Sequence, residues 1–265
     1  MNKILNFNSL FLVFLTLVFF SLISGFQCQY SQVIALNHYN EEIIINPLED
    51  VCVDFMKIYW QENGFIEMLQ VIFLIISIIL LINIKLKLID FDLIHIFIVL
   101  KICVLIYYLG EEISWGQHFF GWQSPDIFFE LNKQKETNLH NISNLFNELP
   151  RTLVFIWCGL LSIIINLKMF KNLLSEKLYV ILLPNKKLIL ISLLLLLIAI
   201  PDLLVDKFDL HPGNFDETLK HGSNSLKGIF WDKITFNFIR LSELHELIFC
   251  FYFLNYSFFL RKKLF

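Results

Sequence analysis

Six stretches of this chain approach the length at which a helix crosses a membrane, near residues 8–27, 63–84, 91–111, 152–168, 188–205 and 243–260. A hydrocarbon core ~30 Å thick needs about 20 apolar residues in helical form. No water reaches that depth, so each peptide group must find its partner inside the segment. A helix does this and an open sheet does not. At 265 residues, 57% of them hydrophobic, the chain is more apolar than ordinary soluble domains. The sequence therefore reads as all-α, a single polytopic helical membrane domain over residues 1–265 with about six transmembrane helices.

The connections between these runs set an expected orientation. Lys3, Lys85, Lys87, Lys168, Lys171, Lys177, Lys186, Lys187, Arg261, Lys262 and Lys263 all fall on alternate, short segments, opposed only by Asp90, Asp92 and Glu176. The longer segments, near 28–62, 112–151 and 206–242, hold most of the carboxylates. Short basic loops stay cytoplasmic, so both termini are expected inside, in the inner (plasma) membrane. The first run has the charged start and apolar stretch of a signal peptide. It is long for one, and no small-x-small cleavage site follows, so an uncleaved anchor is expected. A net charge of −3 supplies no basic stripe for nucleic acid, and membrane lipid is the expected partner. Cys103, Cys158 and Cys250 fall inside runs as small apolar fillers, while Cys28 and Cys52 share an extramembrane segment in which they could pair. Pro201 is expected to bend or end the fifth helix.

One short stretch departs from the background. The chain is built mainly of Ile, Leu, Phe, Lys and Asn, with two Ala and three Arg. Residues 110–122, Gly-Glu-Glu-Ile-Ser-Trp-Gly-Gln-His-Phe-Phe-Gly-Trp, hold three of the nine Gly and two of the five Trp. Drift in base composition does not explain that enrichment, whereas a constrained site does. If helix continues past Glu112, then Glu111, Ser114 and His118 share one face.

The orientation brings the unusual polar residues to one side. Glu67 lies about one turn inside the second run, Glu111 and Glu112 end the third, Asp202 and Asp206 end the fifth, and Glu243, His245 and Glu246 begin the sixth. A carboxylate within hydrocarbon costs about 2.5–3.5 kcal/mol on lenient scales and needs a proton, a partner, a metal or a water-filled cavity. Mixed carboxylate and imidazole donors suit zinc, manganese or iron. Glu67, Glu112, His118, His140 and Glu243 are the expected ligands of a divalent metal such as zinc, and Glu111, Glu112, Ser114 and His118 the expected catalytic set. The plainer reading stands beside this one. Glu62, Asp206 and Glu243 fit as helix-end residues in the headgroup zone, where the helix dipole favours an acid at an N-terminus. Trp60, Trp115, Trp122 and Trp231 fit as belt aromatics. Lys101 lies roughly 15 Å deeper than Glu111, with no carboxylate expected at its depth, and can snorkel, sit neutral or reach a polar cavity.

Several signatures are absent. His245-Glu246-Leu247-Ile248-Phe249 has Phe where a zinc-protease helix needs its second His. Gly159-Leu160-Leu161-Ser162 lacks the spacing of a serine-hydrolase elbow. Paired broken helices, the mark of many carriers, are missing, since only Pro201 interrupts a run.

The pieces Glu111-Glu112-Ile113-Ser114-Trp115-Gly116-Gln117, Gly121-Trp122 and Glu136-Thr137-Asn138-Leu139-His140-Asn141 together resemble a family of uncharacterised bacterial multispanning membrane proteins, a likeness that implies a membrane fold and no particular activity. Trp60-Gln61-Glu62-Asn63 with Glu67, and Ser114-x-x-x-His118, are also similar to segments of the alkaline ceramidases. That likeness implies metal-assisted hydrolysis, although six runs replace the family's seven and its paired-His motif has no counterpart here.

Three functions follow as expectations, the first of them leading. The first is a metal-dependent hydrolase acting on a lipid or lipid-linked substrate, in which the metal acidifies a bound water and Glu111 serves as base. The second is a cation- or proton-coupled carrier using the same acidic ring, and the third a non-catalytic assembly partner in the membrane.

Overall fold

The computed structural model describes residues 7–38, 59, 64–88, 92–132, 135–139, 141–167, 174–207 and 241–265. Among the described residues every regular element is helical. The long elements are α1 (Phe7–His38), α2 (Phe65–Lys87), α3 (Leu93–Glu112), α6 (Asn144–Phe155) and α9 (Leu188–Lys207), with α10 (Leu241–Leu264) at the C-terminus. Shorter ones are α4 (Gln117–Phe120), α5 (Asp126–Leu131), α7 (Ser162–Asn166) and α8 (Glu176–Leu182). Among the described residues, three stretches are long and apolar enough to cross a membrane: Phe65–Lys87, Leu93–Glu112 and Glu148–Asn166.

The chain divides into two compact units, Met1–Phe65 with Ile200–Leu244, and Ile66–Ala199 with His245–Phe265. In the first, α1 buries Phe14, Val18 and Ser21. Ser21 Oγ lies 3.0 Å from Tyr59 Oη, and the Tyr59 ring stacks on Phe65 at 5.2 Å. Helix α1 continues to His38, beyond the expected end near 27. Between Gln27 and His38 there is neither Pro nor Gly to stop it.

The second unit is organised around α10. This helix carries Asn255, Ser257, Tyr252 and Tyr256, and all four are buried along with Leu247, Ile248, Phe249, Cys250 and Phe251. Polar groups are costly against lipid, so the helix that bears them is surrounded by others. Asn255 Nδ2 donates to Phe251 O at 2.8 Å, Tyr256 Oη donates to the Ile181 carbonyl of α8, and Tyr252 Oη meets Ser162 Oγ of α7. The more uniformly aliphatic α2 and α3 turn Ile75, Ile79, Leu100 and Val104 outward, where an apolar environment suits them.

Local chemistry explains several boundaries. Helix α3 starts at Asp92, whose Oδ1 accepts from Ile94 N at 3.0 Å and His95 N at 3.1 Å, capping the first turn. Helix α6 begins well before the expected start near Thr152, with Pro150 inside it. A π-helical stretch, Ile156–Leu161, then joins α6 to α7, and the Cys158 carbonyl accepts from Ser192 Oγ of α9. Helix α9 likewise runs on through Pro201 to Lys207, so the proline does not end it. A proline deletes a single hydrogen bond of the ladder, and the rest of the helix keeps its own. Basic segments meet at one end of this unit. Lys87 Nζ sits 5.3 Å from the Phe265 ring centroid, and Lys177 Nζ lies 3.7 Å from Asp92 Oδ2.

Candidate functional site

The enriched stretch after α3 builds a hydrogen-bonded lock rather than more helix. Helix α3 ends at Glu112, and a short 3-10 turn, Ser114–Gly116, follows. Ser114, Trp115 and Gly116 have φ of 46°, 55° and 96°, three consecutive residues in the left-handed region. Such a conformation costs on the order of 1–3 kcal/mol for each non-glycine, so surrounding contacts must hold it. They are present. The Trp115 indole folds back over the helix, where a Cβ on Gly110 would come within 2.9 Å of its ring, and Nε1 donates to Glu111 Oε1 at 3.0 Å. Gly110 therefore keeps the helix surface bare for the indole, and Gly116 supplies the positive φ that turns the chain. The expected single face of Glu111, Ser114 and His118 does not form, because helical periodicity ends before Ser114.

The second half of the motif closes the lock from the other side. Glu111 Oε2 accepts from Leu139 N at 2.7 Å, so both carboxylate oxygens are engaged. Ser114 Oγ donates to Glu136 Oε2 at 2.8 Å, and Asn138 Nδ2 reaches both Ser114 Oγ (2.9 Å) and Glu136 Oε2 (2.7 Å). Gln117 Oε1 accepts from Thr137 N at 2.7 Å and Thr137 Oγ1 at 3.0 Å. Asn132 Nδ2 donates to Asn138 Oδ1 at 2.7 Å. Ser114, Asn132 and Asn138 are buried. Residues 111, 114 and 117 thus clasp residues 136–139, and the two quoted motifs prove to be partners.

A second polar assembly runs down the helices of the same unit. Lys101, Leu105, Tyr108 and Glu112 recur at helical spacing on α3, and Glu246, Cys250 and Phe253 do so on α10. Tyr108 lies within electrostatic reach of Glu112, Glu246, Arg151 and Cys250. Arg151, on α6, forms an ion pair and hydrogen bond with Glu246. About 10 Å deeper by helical rise, Lys101 is 6% exposed, and its Nζ has no hydrogen-bond partner among the described residues. Four rings surround it instead. Their centroids lie 3.0 Å (Tyr256), 4.7 Å (Trp157), 5.3 Å (Phe253) and 5.9 Å (Phe97) from Nζ. The π-helical stretch contributes Trp157, and such turns recur at functional sites.

The expected site residues fall on several elements. Glu111 and Ser114 lie in the lock and Glu112 in the helix seam, while Glu67 is half-buried in the first turn of α2. Glu243 is half-buried in the first turn of α10 and belongs to the first unit. His118 is on α4 with its side chain outside the described residues, as is the whole of His140. Asp202 and Asp206 lie on α9, their side chains also outside. Among the described residues no three His, Cys, Asp or Glu side chains gather as a metal set. Sequence reasoning missed Arg151, Tyr108 and the ring box. One available signal was the scarcity of Arg, with three in the chain; another was the seven-residue spacing from Lys101 to Tyr108. No family model, curated protein or solved structure matches this chain.

Proposed function

We propose that this chain is a six-span inner-membrane protein with both termini cytoplasmic, and that it is a cation- or proton-coupled carrier working through the seam of α3, α6 and α10. The observation that carries the reading is a buried Lys101 on the same helical face as Tyr108 and Glu112, below the Arg151–Glu246 pair. Ionisable groups inside a membrane bundle are costly, and they mark ion paths and proton relays. The charge alternation of the loops supports the orientation, as does the meeting of Lys87 with the C-terminal Phe265. In this reading Glu111 and Ser114 fasten the outer loop, because their oxygens are engaged in the lock. Purified protein in proteoliposomes tests it: an imposed cation or proton gradient should dissipate faster than in empty vesicles. Glu246→Gln and Lys101→Met should abolish that acceleration, and unaltered flux in both would remove the carrier from consideration.

A second reading, metal-dependent hydrolysis of a lipid or lipid-linked substrate, draws on Glu112 of α3 and Glu246 of α10, two carboxylates within electrostatic reach of Tyr108. There Glu67, His118, His140 and Glu243 would complete a zinc-like donor set with Glu112. Metal content of purified protein, compared with Glu112→Gln and His118→Ala, separates the readings. Stoichiometric metal lost in both variants supports hydrolysis, and none in wild type excludes it.

A further inference from the structure

We infer that the four rings around Lys101 form a binding site for small organic ammonium ions, of which the lysine's own ammonium is the tethered occupant. The inference rests on the carrier reading only for movement across the membrane, and it names that carrier's substrate class. The geometry selects the ligand. Nζ stands over the Tyr256 face at 3.0 Å, flanked by Trp157 at 4.7 Å and Phe253 at 5.3 Å. No oxygen hydrogen-bonds to it among the described residues. Sodium, potassium or calcium needs oxygen ligands to replace its water. A methylated ammonium is weakly hydrated and binds to aromatic faces, so a box of rings suits it and rejects inorganic ions.

The box is also rigidly built. Tyr256 is anchored by its hydroxyl to the Ile181 carbonyl, the Trp157 ring packs against Phe97 at 5.4 Å, and the π-helical turn that presents Trp157 is braced by Ser192 on the Cys158 carbonyl. Three separate elements hold the rings whatever sits between them.

Binding of radiolabelled tetramethylammonium to the full-length protein in nanodiscs tests this without reference to transport. Lys101→Ala, which vacates the box, should bind it saturably and about tenfold more tightly than wild type, and a further Tyr256→Leu should remove about tenfold of that affinity. Potassium chloride at equal ionic strength should not compete. In wild type, where folding is not in question, saturating tetramethylammonium should raise acylation of Lys101 by a permeant amine reagent about threefold while leaving Lys177 unchanged. Unchanged Lys101 labelling, or binding by Lys101→Ala that is indifferent to Tyr256→Leu, overturns the proposal. Binding retained without any flux in proteoliposomes overturns the carrier reading alone. Gradient-driven flux without ammonium binding overturns only the box.

Discussion

The lock after α3 and the seam beneath it differ in how completely their polar atoms are paired. In the lock, Glu111 accepts at both oxygens, Ser114, Glu136 and Asn138 close a three-cornered ring, and Gln117 holds Thr137 twice. In the seam, Lys101 Nζ and Trp157 Nε1 are buried without a hydrogen-bond partner among the described residues. Buried polar groups in native proteins are nearly always satisfied, and an exception calls for an explanation. The unusual composition of residues 110–122 thus goes with a closed hydrogen-bond network, and the less conspicuous seam holds buried polar atoms that packing alone does not account for.

That contrast can be broken by substitution. The largest effect is expected from Glu111→Ala, which strips the acceptor from Trp115 Nε1 and Leu139 N together. It should lower stability by about 3 kcal/mol, given about 1.5–3 kcal/mol for each hydrogen bond to a charged group. Denaturant unfolding in detergent measures the loss, and protease should then cut the 113–139 loop; normal stability with lost flux would move Glu111 from architecture to chemistry. A smaller loss, about 2 kcal/mol, is expected of Gly110→Ala, because the added methyl meets an indole held by its own hydrogen bond. Thermal unfolding paired with Trp115→Leu sharpens this test. The double variant should recover part of the loss, and no recovery would place the strain elsewhere. The smallest change is expected of Lys101→Met. It fills similar space without a charge, so stability should hold or rise by about 1 kcal/mol while transport disappears. A destabilisation rivalling that of Glu111→Ala would make the seam structural too.

Helix positions were legible because apolar run length maps directly onto membrane thickness, as for α2 and α3, where the observed ends lie close to those expected. Boundaries read from proline were less legible. Pro150 and Pro201 both lie inside helices, and a proline removes only one hydrogen bond of the helical ladder. The two motif halves could be seen in the sequence, but not the clasp between them. Leu139 N reaches Glu111 only because three residues in succession turn left-handed, a backbone path that no helical or strand periodicity encodes.

By itself the sequence determined that the chain is helical, that its apolar runs suit a bilayer, and that residues 110–122 are constrained, because each of these follows from local composition and spacing. The tertiary structure alone decided that α10 lies at the core of its unit, that Glu246 pairs with Arg151, and that four rings from three elements enclose Lys101. Those outcomes depend on which faces of distant helices meet. That choice is made by the cost of leaving polar atoms against lipid, summed over the whole bundle rather than read along any one segment.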